Sequence, residues 1–220
     1  MKIVRREVSL LNPIPYSKML STVEQAGRNC YQSYNKIAEG SAEKLVRQFI
    51  KVSHGTPLEF AHIAVKIVGD RSLMGQITRH RLASFCVESA RYNNYTKEKY
   101  GKEISVIVPH DIEEDSVEYH MWEDVCLTAE DGYFRLINHG VKPETARSVL
   151  PMSLATNICM SANVREWRHI LKLRLDSHAQ SDIREVAGMI LQLFYRAYPV
   201  FFEDLAEEYL SMSHNITCKH

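Results

Sequence analysis

Between Gln76 and Tyr92 the chain reads Gln-Ile-Thr-Arg-His-Arg-Leu-Ala-Ser-Phe-Cys-Val-Glu-Ser-Ala-Arg-Tyr, its densest run of side chains able to grip an anion. Arginine's planar fork suits a phosphate or a pyrimidine carbonyl, and the hydroxyls of Ser84 and Ser89 add short donors beside it. If the stretch from Asp70 to about Leu82 is a helix, Gln76, Arg79 and His80 stand three and four residues apart on one face. The ordinary alternative is a basic helix end that satisfies its own last carbonyls. Chemistry alone leaves both readings open.

A second run starts at Asn163. With Glu166 three residues on, Asn163 makes a capping box, so a helix begins there. Arg165 in the first turn opposes the positive end of the helix dipole, a placement that makes sense with a bound anion in front of it. His169 shares the Arg165 face, while Trp167, Ile170, Leu171 and Arg174 share another. Arg174 lies at the C-terminal end, where the dipole stabilises a cation without any ligand. Ser177 and Gln180 read as a capping box for the following helix.

The elements that must position these residues follow from periodicity. Residues 1–11 alternate as a strand, Ser17 to Tyr31 is a helix with Met19, Leu20, Val23 and Ala26 on one face, and a second helix follows Gly40. His54 to Pro57 is a loop, and Leu58 to Val68 is a strand whose Ala61, Ile63, Val65 and Ile67 recur at period two. Asp70 caps the next helix. Val106 to Val108 is a short strand. A long helix with acidic residues Asp111 to Asp115 at its start places Trp122, Val125, Cys126 and Ala129 on one face and ends near Gly140. Pro143 opens a short helix. The last third is expected to be wholly helical, with Ile183, Val186, Ala187, Ile190, Leu191 and Phe194 as its clearest stripe. Strands early and helices late point to an α+β fold, a small mostly antiparallel sheet with several long helices, rather than a doubly wound parallel sheet.

The 220 residues, 45% hydrophobic and 25% charged, suit a single domain over residues 1–220. Lys and Arg total 27 against 27 Asp and Glu, so the chain lacks the footprint of a nucleic-acid-coating protein. Its cysteines, Cys30, Cys86, Cys126, Cys159 and Cys218, show no zinc-site spacing; no metal is expected, and the thiols fit a reducing cytoplasm. No apolar run suits a signal peptide or a membrane span. Neither a GxGxxG nor a Walker A turn is present, so a nucleotide would have to be held by other means.

The arrangement Arg79-His80-Arg81, then seven residues, then Ser89, matches the RHRx7S signature of the flavin-dependent thymidylate synthase (ThyX) family. Three further segments agree in order and spacing: His54 to Glu59, Ala146 to Pro151, and Asn163-Val164-Arg165 leading to Leu173 to Gln180. The chain therefore resembles that family across about residues 54–180.

The resemblance implies reductive methylation of dUMP to dTMP, with 5,10-methylenetetrahydrofolate as carbon donor and hydride from reduced FAD, itself regenerated by NADPH. It implies nucleotide contacts at Gln76, Arg79, Glu88, Ser89, Ala90, Arg91, Arg147 and Arg174. Flavin contacts fall on Thr56, Arg79, His80, Arg81, Val87, Asn163, Arg165 and His169, with His54 and Glu59 beside them. Arg174 and Ser89 are the implied catalytic pair: Arg174 stabilises charge spreading onto the uracil, and Ser89 positions the substrate rather than attacking it. The family dispenses with an enzyme nucleophile, although Cys86 is the tempting candidate for one. It also implies a homotetramer. The chain departs from the pattern at Val87 and Glu88, where relatives commonly carry Glu or Gln and then an apolar residue.

Two different readings compete. Arginine clusters with Tyr92 and Tyr95 also suit a nucleotide- or RNA-binding module without catalysis, and zero net charge weighs against it. A flavoprotein of another reaction type would use the same flavin-phosphate chemistry.

Overall fold

The computed structural model describes residues 1–214; residues 215–220, which include Cys218 and the end of the tail that follows Ser211, lie outside the described residues. Among the described residues the fold mixes eight α-helices with a small antiparallel sheet, as the α+β reading expected. Four strands, β2 (Glu7–Leu10), β3 (His62–Asp70), β4 (Ser84–Val87) and β6 (Ala155–Asn163), lie in the order β2-β3-β6-β4. A separate two-stranded ribbon pairs β1 (Lys2–Ile3) in parallel with β5 (Ser105–Val106). Strands β3 and β6 run antiparallel, because Val164 N donates to Ala61 O at 2.8 Å near one end and Arg71 N to Met152 O at 3.1 Å near the other.

The chain divides into two compact units, one made of Met1–Glu7, Ile67–Arg79 and Cys86–Ile158, the other of Val8–Lys66, His80–Phe85 and the described residues from Cys159 onward. In the first unit Tyr95, Ile104, Val106, Cys126, Tyr133, Ala146 and Leu154 form one apolar cluster. Its long helix α4 (Val117–Asn138) starts at Ser116, whose hydroxyl accepts from Tyr119 N at 3.1 Å. It stops at Gly140, whose φ of +83° lets Gly140 N and Val141 N turn back to the carbonyls of Ile137 and Leu136. Asp70, ion-paired with Arg6, caps helix α3 (Arg71–Ile77) by accepting from Leu73 N at 2.7 Å.

In the second unit helices α1 (Tyr16–Cys30) and α2 (Ser41–Lys51) pack through Phe49, whose ring lies where a Cβ on Gly27 would be. Helices α6 (Val164–Leu175), α7 (Ser181–Ala197) and α8 (Pro199–His214) enclose Trp167, Phe194, Phe201 and Phe202. Trp167 satisfies its indole N–H on Ile63 O at 2.9 Å, as a buried tryptophan must.

Several local expectations need correction. Residues 1–11 form two short strands rather than one, and β3 starts at His62 because Thr56–Phe60 makes a tight 3₁₀ turn first. Helix α3 ends at Ile77, so Gln76, Arg79 and His80 do not share a helical face; Thr78 turns its hydroxyl back to Met74 O and the chain leaves for β4. The short strand expected at Val106 to Val108 lies at Ser105–Val106. Val125 on α4 is 65% exposed, and the buried line on that helix runs through Cys126 and Tyr133. The last third is not wholly helical: β6 occupies nine residues of it, with Thr156, Ile158, Met160 and Ala162 buried in alternation. Helix α7 is capped at Gln180 with no side-chain bond, so the Ser177–Gln180 box does not form; Gln180 Nε2 reaches Asp182 instead.

Candidate functional site

The first unit carries Gln76 and Arg79 at the end of α3, the strap Val87, Glu88, Ser89, Ala90 and Arg91 that follows β4, and Arg147 just after helix α5 (Pro143–Ala146). The strap is a turn in which Ser89 O accepts from Tyr92 N at 3.2 Å and Asn93 N at 3.1 Å. Ala90 is buried and anchors it, while Ser89 and Arg91 face solvent. Glu144 brings two of the expected arginines to one place: Arg91 Nε donates to its carboxylate at 3.1 Å and Arg147 Nε to its carbonyl at 3.2 Å. Both guanidiniums are exposed, so the pairing orients them more than it stabilises the fold. An anion placed there would meet two planar, oriented cations. The sequence did not single out Glu144.

Glu88, expected among the nucleotide contacts, has protein partners that the sequence did not show. Its carboxylate accepts from Asn93 Nδ2 at 2.9 Å and from Asn157 Nδ2 at 2.7 Å. Asn157 escaped notice because it occupies an exposed position of the strand read as helix. Cys86 is exposed on β4, whereas burial pushes the Cys126 thiol up to about 11 and keeps it protonated.

The second unit carries His54, Thr56, Glu59, His80, Arg81, Asn163, Arg165, His169 and Arg174. Of the capping box expected at Asn163, the N-cap half forms: the Asn163 side chain accepts from Glu166 N at 2.8 Å and starts α6. Arg165, in the first turn, lies over the backbone of Gly55, where an added Cβ would come within 2.9 Å of its Nε. Its Nη1 donates to Glu59 Oε1, so the His54–Glu59 loop holds the arginine that the helix terminus alone would not favour. Thr56 and His169 are exposed, and His169 follows Arg165 one turn on along α6. His54 has a local role, its ring meeting Phe49 edge-on at 5.2 Å.

At the other end of α6, Arg174 Nε donates to His80 Nε2 at 3.0 Å. Arginine cannot accept, so His80 must accept at Nε2 and carry its proton on Nδ1. Burial, with help from the Arg174 and His169 charges, lowers the His80 pKa to about 4, which keeps the ring neutral. Arg174 thus donates from Nε to a neutral, buried imidazole. Arg81 is exposed in the turn after His80.

The residues expected at the flavin have a chemistry that suits an anionic dinucleotide. A helix N-terminus, an arginine laid across a glycine and an exposed histidine one turn away supply donors and positive charge.

The chain resembles in fold the crystal structure of PolB, a UMP/dUMP methylase from Streptomyces cacaoi bound with 5-Br dUMP, with a TM-score of 0.76 over 92% of this chain and 96% of that one at 24% identity. It is 35% identical over 162 residues to the flavin-dependent thymidylate synthase of Pyrococcus furiosus, covering 73% of this chain and 66% of that protein. For the enzyme of the same name from Pyrococcus horikoshii the identity is 32%, covering 84% and 78%. The model of the family described as thymidylate synthase complementing protein matches residues 14–200. With a family match that runs over residues 14–200 and relatives above 30% identity, the chain belongs to the flavin-dependent thymidylate synthase family.

Proposed function

We propose that the chain, acting over residues 1–220 as one catalytic domain, converts dUMP to dTMP, with 5,10-methylenetetrahydrofolate giving the one-carbon unit. Bound FAD, once reduced by NADPH, supplies the hydride that completes the methyl group. The observation that carries this reading is Arg174 held by neutral His80. A guanidinium fixed in direction stabilises negative charge as it develops on N3 and O4 of a uracil, which makes C5 nucleophilic without an enzyme thiolate. Arg91 and Arg147, oriented by Glu144, receive the 5′-phosphate, with Gln76 and Arg79 completing the polar contacts. Ser89 and Ala90 set the substrate's position from the strap. On the flavin side Asn163, Arg165 and His169 supply the α6 contacts, Thr56 and Glu59 the loop contacts, and Arg79, His80, Arg81 and Val87 the remainder. The active form is a cytoplasmic homotetramer.

Titrating dUMP into the FAD-loaded protein tests this directly. The reading expects the flavin absorbance to shift with saturable dUMP, and the shift to weaken in Arg174→Ala. A flavoprotein of another reaction type would show bound flavin that dUMP leaves unperturbed. RNA binding that needs no flavin and falls steeply with salt would instead support the binding-module reading.

A further inference from the structure

We propose that Glu88 is a positioning residue: gripped by Asn93 and Asn157, its carboxylate ties the Ser89–Arg91 strap to β6 and so fixes where Ser89 and Arg91 meet the nucleotide. The consequence for substrate rests on the dUMP reading; the contacts do not.

An ionised carboxylate only accepts, so both asparagines must turn their amide nitrogens toward it. Oε1 takes Asn93 Nδ2 at 2.9 Å; Oε2 takes Asn157 Nδ2 at 2.7 Å and Asn157 N at 3.3 Å. The backbone repeats the link, with Glu88 N donating to Asn157 O at 2.9 Å. Glu88 is therefore joined to one residue of β6 through main chain and side chain together. Its other oxygen holds Asn93, and Asn93 N closes the turn on Ser89 O at 3.1 Å. The strap is pinned before Ser89 and after Arg91 by the same carboxylate.

Two arguments favour positioning over direct contact with substrate. Three amide donors already occupy the two oxygens, which leaves about one of the four lone-pair sites for a nucleotide N–H or O–H. A nucleotide phosphate is an anion, and a carboxylate repels it. An apolar residue at position 88 could not make these bonds.

The test compares Glu88→Ala, Asn157→Ala, the double variant and Glu88→Gln. Hydrogen exchange at the Tyr92 and Asn93 amides, both bonded to Ser89 O, reports the strap, and steady-state kinetics with dUMP reports its consequence. Loss of the clamp is expected to speed both exchange rates on the order of ten-fold and to lower kcat/KM for dUMP by a similar factor, mainly through KM, at unchanged flavin content. The double variant should be no worse than the poorer single one, because the residues act as a unit. Glu88→Gln keeps one acceptor oxygen and should recover part of both. Losses that multiply in the double variant, or weaker dUMP use with unchanged exchange, would make Glu88 a direct ligand and overturn the proposal. If the unaltered protein forms no dTMP, the dUMP reading fails by itself, and the exchange comparison still decides the clamp.

Discussion

At the scale of single residues, His80 gives the fold a pH dependence with a definite sign. The unfolded imidazole takes a proton near 6.5, while the native ring resists until about 4. Between those values the unfolded state binds the extra proton, so stability falls as pH drops from 6.5 to 4 and is fully present above 6.5. The effect has an upper bound of about 3 kcal/mol. Melting temperatures at pH 7 and pH 5 should therefore differ less in His80→Gln than in the unaltered protein, and an equal difference in both would show that His80 is not the group responsible. Gln keeps an acceptor for Arg174, so this variant should also retain more turnover than His80→Ala. Ser89→Ala should slow turnover while flavin stays bound, because Ser89 is exposed on the strap and is assigned only a positioning role. Capture of a covalent Ser89 adduct during normal turnover would contradict that role.

At the scale of elements, helix α6 links sequence to site most directly. Asn163 caps it, Arg165 and His169 project from its exposed side, Trp167 and Leu171 bury the other, and Arg174 ends it. The His54–Glu59 loop acts on it through Gly55. Gly55→Ala would put a Cβ 2.9 Å from Arg165 Nε and 3.0 Å from its Cδ, so the flexible end of the arginine must move. Because φ at Gly55 is −75°, alanine fits the backbone and the melting temperature should hardly change. FAD affinity should fall about ten-fold, since a displaced arginine loses a charge-assisted contact; unchanged affinity would remove Arg165 from the flavin site.

The signals for α6 were local and legible: an N-cap, an apolar stripe and a cation at each end. The Asp70 cap, the Gly140 stop and the alternation of β3 were legible for the same reason. Strand β6 was not, although Thr156, Ile158, Met160 and Ala162 alternate, because Thr, Asn and Ser dilute the apolar pattern and β-branched residues are few. The end of α3 was hidden too, since no Gly or Pro follows Ile77 and what draws the chain away is the pairing of β4 in the sheet. With β6 missing, Asn157 had no visible partner, and the Glu88 clamp could not be read. The arginines were visible as types, but Glu144, which orients two of them, lies 53 residues from Arg91 and becomes relevant only in the fold.

At the scale of the whole molecule, 27 basic and 27 acidic residues leave no net charge, so anion binding must come from placed side chains rather than overall charge. Among the described residues no helix is long and apolar enough to cross a membrane. The family match covers residues 14–200, and the two compact units divide the expected contacts, most nucleotide residues in one and most flavin residues in the other. The most direct measurement is dTMP formation by purified protein supplied with FAD, NADPH, dUMP and 5,10-methylenetetrahydrofolate, beside reactions omitting each and beside Arg174→Ala. The account predicts product only when all four are present, and a loss on the order of a hundred-fold or more in kcat for Arg174→Ala, the scale of removing a charge-stabilising donor. No dTMP from protein whose flavin is bound and reduced, or an Arg174→Ala variant with unchanged kinetics, would contradict it.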